Sequence, residues 1–292
     1  MGWAFLGVLC FSISLPLTKV AVGGFDAVLT GAGRAVIAGA IAIVILRVRR
    51  VPVPDRRLLR PLLFTMAGAV FGWPILMALA LQRTTSAHAA VIAACVPLVT
   101  AVLAVARAGE RVARQFWYAA CLGALAVVAF SLARGGAQSG ELVADLLVVG
   151  AALASSWCYV EGAVLTRVMP GWQVISWVVV LALPITVPLS VGIWLATRAH
   201  FVTTPIEWGA LILLGLFPMY LGFFAWYRGL GEAGIAHGAQ VQQLQVLLTL
   251  MWSALLLGEQ VTWGMVLAAL VIIGAVAWAQ RTRIPTVVTP ED

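Results

Sequence analysis

Two stretches of the chain align with each other without a gap, and they decide the fold: TTSAHAAVIAACVPLVTAVLAVARAGE (residues 84–110) and AGIAHGAQVQQLQVLLTLMWSALLLGE (residues 233–259). In this register an Ala-His pair recurs, which matches His88 with His237, and a Gly-Glu pair recurs, which matches Glu110 with Glu259. A coincident Ala or Leu would mean little in an apolar sequence. Two such dipeptides at one spacing indicate an internal repeat.

The composition around these stretches indicates a lipid environment. Of the 292 residues, 63% are hydrophobic and 10% are charged, whereas soluble domains are about 45–50% apolar and about 25% charged. A membrane-spanning helix needs about 20 apolar residues. Ten stretches meet that need: 2–22, 26–46, 62–82, 85–106, 115–133, 144–165, 172–196, 206–228, 234–256 and 261–280. Because none of them alternates polar with apolar residues, a β-barrel is excluded, and we predict an all-α integral membrane protein with ten transmembrane helices.

The basic residues are distributed unevenly between the predicted loops. One side holds thirteen arginines and the other side holds three, namely Arg83, Arg134 and Arg198. The thirteen are Arg47, Arg49, Arg50, Arg56, Arg57, Arg60, Arg107, Arg111, Arg114, Arg167, Arg228, Arg281 and Arg283. Basic loops stay in the cytoplasm, so we expect both termini there, in a bacterial cytoplasmic (inner) membrane. The net charge of +7 is then explained by membrane anchoring, and nucleic acid is not an expected partner.

The repeat divides the ten helices into two halves of five, over residues 1–134 and 144–280, with a joint rich in Gly, Ser and Gln between them. Because five is odd, the second half enters the membrane from the opposite side. Inverted repeats around a site near the bilayer centre are the architecture of many secondary transporters. We therefore expect the two inverted five-helix repeats to surround a central cavity.

The chain resembles the EamA branch of the drug/metabolite transporter superfamily over nearly its whole length. The resemblance is carried by the opening helix GWAFLGVLCFSISLPLTKVAVGG with Lys19, by Arg34, by PLVTAVLA before Gly109-Glu110, and by VQQLQVLLTLMWSALLLGEQVTWGMVLAALVIIGA at residues 241–275. One difference is Val246, which stands where the second half of the family often has a proline. The resemblance implies ten helices in two inverted halves and is strongest to bacterial exporters of amino acids and related metabolites, aromatic ones included.

The predicted ninth helix carries the densest polar cluster. Gln242, Gln245 and Thr249 are spaced i, i+3 and i+7 and therefore share one helix face. Glutamines that faced lipid would leave their amide groups without hydrogen-bond partners. We expect these three side chains to line the cavity and bind the solute; the alternative is that they join helices to each other.

The predicted first and second helices carry the two cations of the membrane interior. Ser12, Pro16 and Lys19 form one stripe. Lys19 could capture a carboxylate of the solute, or it could extend to the membrane surface, which we favour. Arg34 could assist in that capture, or it could bond neighbouring carbonyl groups, which we favour.

Histidine and aromatic residues complete the candidate substrate-binding set. His88 and His237 lie near opposite mouths and could act as gates or as helix-end groups. Ser155 and Tyr159 share a face of the sixth helix. Most tryptophans are typical of interface belts, and we assign cavity positions only to Trp73, Tyr159, Tyr220 and Tyr227.

Several functions are disfavoured by what the sequence lacks. Neither paired acidic clusters nor a Ser/His dyad is evident, so we do not expect an enzyme. The four cysteines lie in apolar runs without CxxC spacing, so neither a metal nor another cofactor is expected. No Asp or Glu lies near a helix centre, which disfavours proton-coupled cation export. We expect a monomeric transporter of amino acids; the alternatives are a transporter of sugars or drug-like solutes, or a membrane scaffold.

Overall fold

The chain is helical throughout the residues that the computed structural model describes, which are 2–96, 98–100, 102–103, 114–133, 139–200, 203–233, 241–242 and 244–281. The first group of helices comprises α1 (Gly2–Ser12), α2 (Ser14–Gly24), α3 (Ala27–Val48), α4 (Arg56–Met66), α5 (Trp73–Leu81), α6 (Ser86–Ala93) and α7 (Arg114–Ala133). The second group comprises α8 (Ser139–Leu165), α9 (Gly171–Thr197), α10 (Pro205–Leu216), α11 (Gly222–Ala233), α12 (Leu244–Leu257) and α13 (Trp263–Arg281). The prediction of an all-α protein is confirmed for these residues.

Most spans agree with the predicted segments to within a few residues, but the third begins at Arg56 rather than at residue 62. In the described part of the chain, six helices are long and apolar enough to cross a membrane: Gly2–Gly24, Ala27–Val48, Arg56–Leu81, Leu142–Gly162, Gly171–Thr197 and Pro205–Gly229. Shorter apolar helices cover Ser86–Thr100, Leu244–Leu257 and Trp263–Ala275. The chain is thus a multi-pass membrane protein. The full count of ten spans and the inversion of the halves stay predictions.

Polar residues at the segment borders start several helices. The Asp26 carboxylate accepts hydrogen bonds from the backbone N–H groups of Val28 and Leu29, and Asp55 accepts one from Arg57. At the start of α10, the side chains of Thr204 and Glu207 form a capping box. Each cap satisfies N–H groups that the first helical turn leaves without an acceptor.

Small residues on α3 allow close contact with α9. Ala35, Ala38 and Ala42 are fully buried on one stripe of α3, and α3 packs along α9. Gly39 lies so close to Leu183 that an added Cβ would contact its side chain at 2.6 Å. Small residues let two helix backbones approach in a membrane, where packing rather than the hydrophobic effect drives association.

The outward surface of the helices is apolar. Large aliphatic and aromatic side chains such as Val44, Leu125, Leu146, Leu255 and Trp263 are exposed. In a soluble protein, a surface of this kind would be an aggregation liability. In a bilayer it is the surface that contacts the acyl chains.

Two π-helical turns interrupt the long spans, at Ala67–Gly72 between α4 and α5 and at Phe217–Leu221 between α10 and α11. Within them, Ala69 and Pro218 occupy matching positions in the register of the sequence repeat, and both line the cavity described below. π turns commonly occur at functional sites because they widen the helix and redirect its side chains.

Candidate cavity and its lining

One cavity inside the described part of the protein is bordered by residues from both halves of the chain. From the first half it takes Phe11, Ser14, Leu15, Arg34, Ala69, Trp73, Ala90, Ala93, Ala94 and Val96. From the second half it takes Ser155, Cys158, Tyr159, Pro218, Phe223, Gln242, Gln245, Val246, Thr249 and Ile273. It has room for a few water molecules.

The polar face of the cavity is formed by residues of α12 and by Gln242, which lies just before it. Gln242, Gln245 and Thr249 all line it, as the i, i+3, i+7 spacing predicts. The Oε1 atom of Gln245 is buried and has no hydrogen-bond donor among the described residues. An amide oxygen in that position can accept a hydrogen bond from a bound solute.

Thr249 also joins α12 to the break between α1 and α2. Its hydroxyl donates to the Ser12 carbonyl at 2.8 Å. That carbonyl would bond the N–H of residue 16 in a regular helix, but Pro16 has no N–H to give. The proline therefore frees an acceptor, and a threonine from the second half of the chain satisfies it.

Tyr159 and Ser155 bring a second set of hydroxyl groups to the cavity from α8. The Tyr159 hydroxyl shares hydrogen bonds with the side chains of Ser155 and Gln242. These three residues form a polar network that orients the Gln242 amide. Sequence reasoning places Ser155 and Tyr159 on one helix face, and the structure agrees.

Aromatic rings also border the cavity. The rings of Phe11 and Phe223 are 5.1 Å apart between centroids, and Tyr159 lies 6.4 Å from Phe223. Trp73 lines the cavity from α5. The cavity thus offers an apolar wall beside an amide and hydroxyl face, an arrangement that suits a small amphipathic molecule.

Arg34 is the charged residue among the described cavity-lining side chains. It lies in the middle of α3 and only 4% of it is exposed. Its Nη1 donates to the Ser14 hydroxyl at 3.4 Å, and its Nε has no acceptor. The expectation that Arg34 bonds neighbouring carbonyls is not met among the described residues, because its hydrogen-bond partner is a hydroxyl.

The other predicted residues on the first two helices lie outside the cavity lining. The Ser12 hydroxyl donates to the Leu9 carbonyl and accepts from Nε1 of Trp252. The Lys19 ammonium donates to the carbonyls of Leu81 and Thr84 at 2.7 and 2.8 Å. Lys19 is half-buried and does not line the cavity, because its ammonium caps the carbonyl end of α5.

The structure likewise gives His88 and two of the predicted tyrosines positions away from the lining. His88 pairs with Asp145 of α8 at 2.8 Å, and both side chains are buried. Tyr220 exchanges a hydrogen bond with Ser176 at 2.8 Å, and Tyr227 is buried with its hydroxyl unpaired. His237 lies outside the described residues. Among the residues described, no group of three or more His, Cys, Asp or Glu side chains could hold a metal.

A further contact between the halves involves one of the recurring Gly-Glu pairs. The Glu259 carboxylate accepts hydrogen bonds from the N–H groups of Ser86 and Ala87 and from the Ser86 hydroxyl, at 2.8–2.9 Å. Ser86 also bonds Ser253 of α12 at 2.7 Å. Glu259 therefore caps α6 across the two halves. The repeated Gly-Glu pair singles out Glu259 in the sequence. It does not indicate the partner of Glu259, which lies far away in the sequence.

These observations define a multi-pass helical membrane protein with a partly polar internal cavity. The EamA-like transporter family matches residues 1–132 and again residues 142–280, and the chain belongs to this family. A relative from Bacillus subtilis (strain 168), the uncharacterized transporter YdeK, is 41% identical over 290 residues, which cover 96% of this chain and 97% of the relative.

A solved crystal structure of another protein shares the fold. It is similar with a TM-score of 0.66 at 22% sequence identity, over 95% of this chain and 96% of the other. Family membership and the transporter relative together support a membrane transporter of small solutes rather than an enzyme.

Proposed function

We propose that the protein is a secondary transporter that exports amino acids, including aromatic and apolar ones, by alternating access. The observation that carries the proposal is a cavity lined from both family-matched regions, whose lining combines amide and hydroxyl groups with aromatic rings. A zwitterion with an apolar side chain is complementary to this lining. Gln242, Gln245 and Thr249 would bind its polar end, and Trp73 and Tyr159 would contact its apolar end.

Alternating access requires two states that expose one site to opposite sides of the membrane. Two inverted five-helix halves, in the bacterial cytoplasmic membrane with both termini in the cytoplasm, would supply these states by exchanging conformations. The recurrence of a π turn at the cavity wall in each half supports this view.

The test is counterflow in proteoliposomes. Purified protein is reconstituted with a large excess of one unlabelled amino acid inside and a trace of the same labelled amino acid outside. We expect transient accumulation of label with at least one amino acid that has an aromatic or aliphatic side chain. Absence of accumulation with every amino acid, together with accumulation of a sugar or a drug-like cation, would contradict the proposed substrate class.

A further inference from the structure

We infer that Arg34 is the anion-binding group of the cavity and that the transported solute must present a carboxylate to it. This inference rests on the proposed transport function and assigns the part of the solute that is recognised. It excludes neutral sugars and cationic drug-like compounds as substrates.

The Arg34 guanidinium has few hydrogen-bond partners. A guanidinium carries five N–H donors and no acceptor. In Arg34, Nη1 makes one long bond, 3.4 Å to the Ser14 hydroxyl, and Nε makes none. The buried contact between His88 and Asp145 does not involve Arg34.

The burial of Arg34 without an anion costs free energy. Only 4% of Arg34 is exposed, and it lies within the membrane-spanning helix Ala27–Val48. A buried cation without an anion keeps most of its desolvation penalty, and ionisable groups inside membranes therefore pair or line solute pathways. Tyr159 is close enough to Arg34 to interact electrostatically, but a neutral phenol does not balance a full charge. An anion that enters the cavity would balance it.

The Arg34 guanidinium lies at the cavity beside a second unsatisfied group. Arg34 borders the cavity together with Gln245, whose Oε1 is a buried acceptor without a donor. The cavity thus presents an unsatisfied cationic donor and an unsatisfied neutral acceptor. A zwitterion satisfies both, with its carboxylate on Arg34 and its ammonium on the Gln245 amide oxygen. The side chain of the solute then lies against Phe11, Phe223 and Trp73.

No described carboxylate lines this cavity. An acidic side chain there would neutralise Arg34 and would favour cationic solutes instead. The described lining therefore selects for a negative group at one end of the solute.

The experiment compares acids with their amides. Detergent-purified protein is titrated with L-leucine, L-phenylalanine and L-tryptophan and with the primary amide of each, and binding is measured from the rise in melting temperature. The amides keep the ammonium and the side chain but lack the carboxylate. We expect at least one acid to bind about 10–100-fold more tightly than its amide, the range for losing hydrogen bonds to a charged partner.

Variants separate recognition from folding. In Arg34→Gln we expect the ratio of the affinities for acid and amide to fall to about 1. Arg34→Lys should retain part of this ratio, because the charge remains but the planar guanidinium with its paired N–H donors is lost. Arg198→Gln, the same change at an exposed residue, should keep the ratio of the wild type. Because the readout is a ratio within one variant, a general loss of stability does not produce the expected result.

The inference is overturned if the amides bind as tightly as the acids, if Arg34→Gln keeps the ratio, or if none of the three acids binds. Counterflow of the same amino acids then distinguishes the two claims. Exchange that persists in Arg34→Gln at the rate of the wild type contradicts the role of Arg34 and leaves transport intact, whereas no exchange in the wild type contradicts the proposed function.

Discussion

At the scale of single residues, the cavity is built from groups whose hydrogen-bonding needs are partly unmet. Pro16 frees the Ser12 carbonyl, and Thr249 satisfies it. Gln245 Oε1 and Arg34 Nε have no described partners. Unsatisfied polar atoms are costly where no water reaches them. Because Arg34 and Gln245 border the same cavity, their unsatisfied atoms are consistent with a site that is completed by its solute.

The Gln245→Ala substitution tests the polar face. It removes an amide that can both donate to and accept from the solute. Because one such bond contributes about 0.5–1.5 kcal/mol, and more to a charged partner, we expect the apparent affinity in counterflow to weaken about 3–30-fold. Gln115→Ala, at an exposed glutamine on α7, is the matched control. Equal behaviour of the two variants would place the binding face elsewhere.

At the scale of elements, contacts made by charged side chains organise the ends of the helices. Glu259, beyond the end of α12, caps α6, and Lys19 of α2 caps the end of α5. The carboxylate lies where the N-terminal dipole of α6 is positive, and the ammonium lies where the C-terminal dipole of α5 is negative. Both contacts hold the ends of the loop between α5 and α6, one through Lys19 and the other through Glu259.

The Glu259→Ala substitution tests the cap. It leaves the N–H groups of Ser86 and Ala87 without their acceptor, and loss of an N-cap with charged hydrogen bonds costs about 1–3 kcal/mol. We expect a lower melting temperature in detergent, measured by tryptophan fluorescence. Gln260→Ala, at an exposed residue of the same loop, should melt like the wild type. A Glu259→Ala protein as stable as this control would show that the cap contributes little.

At the scale of the whole molecule, long apolar runs and helical spacing made the positions of the helices and the faces of their side chains predictable. The segments 26–46, 172–196 and 206–228 match observed helices closely, because long apolar runs have few alternatives in a membrane. The shared face of Gln242, Gln245 and Thr249 follows from helical geometry alone.

Partners that are distant in the sequence could not be predicted in the same way. The pairing of His88 with Asp145 and the capping by Lys19 depend on which helices meet. The isolation of Arg34 depends on the same packing, since an arginine at that depth could equally have faced neighbouring carbonyls. Tyr220 and Tyr227 were assigned to the cavity because they lie on one helix face, but that face packs into the core.

The predicted orientation in the membrane rests on the thirteen arginines on one side and three on the other. We expect alkaline phosphatase fused after residue 138 or 200 to be active, because these positions are predicted to face the outside, and fusions after residue 52 or 285 to be inactive. Enzyme assays on intact cells measure this directly. Activity at residue 52, or its absence at residue 200, would contradict the ten-span topology.

The coupling of transport follows from the lining of the cavity, which contains no described carboxylate. A carrier without a proton-binding group at its site does not depend on a proton gradient. We therefore expect uptake into proteoliposomes to continue after an ionophore collapses the pH gradient. If uptake stops with the gradient, a titrating group such as Glu161 or His88 takes part in transport.

The central claim, that the solute crosses through the cavity between the halves, is tested most directly by filling that cavity. Ala93 of α6 lines it, whereas Ala40 of α3 is exposed on the outer surface. In counterflow of a labelled amino acid that the wild type exchanges, we predict that Ala93→Trp abolishes accumulation, whereas Ala40→Trp keeps the rate of the wild type. Exchange by folded Ala93→Trp at the same rate as the wild type would contradict the account.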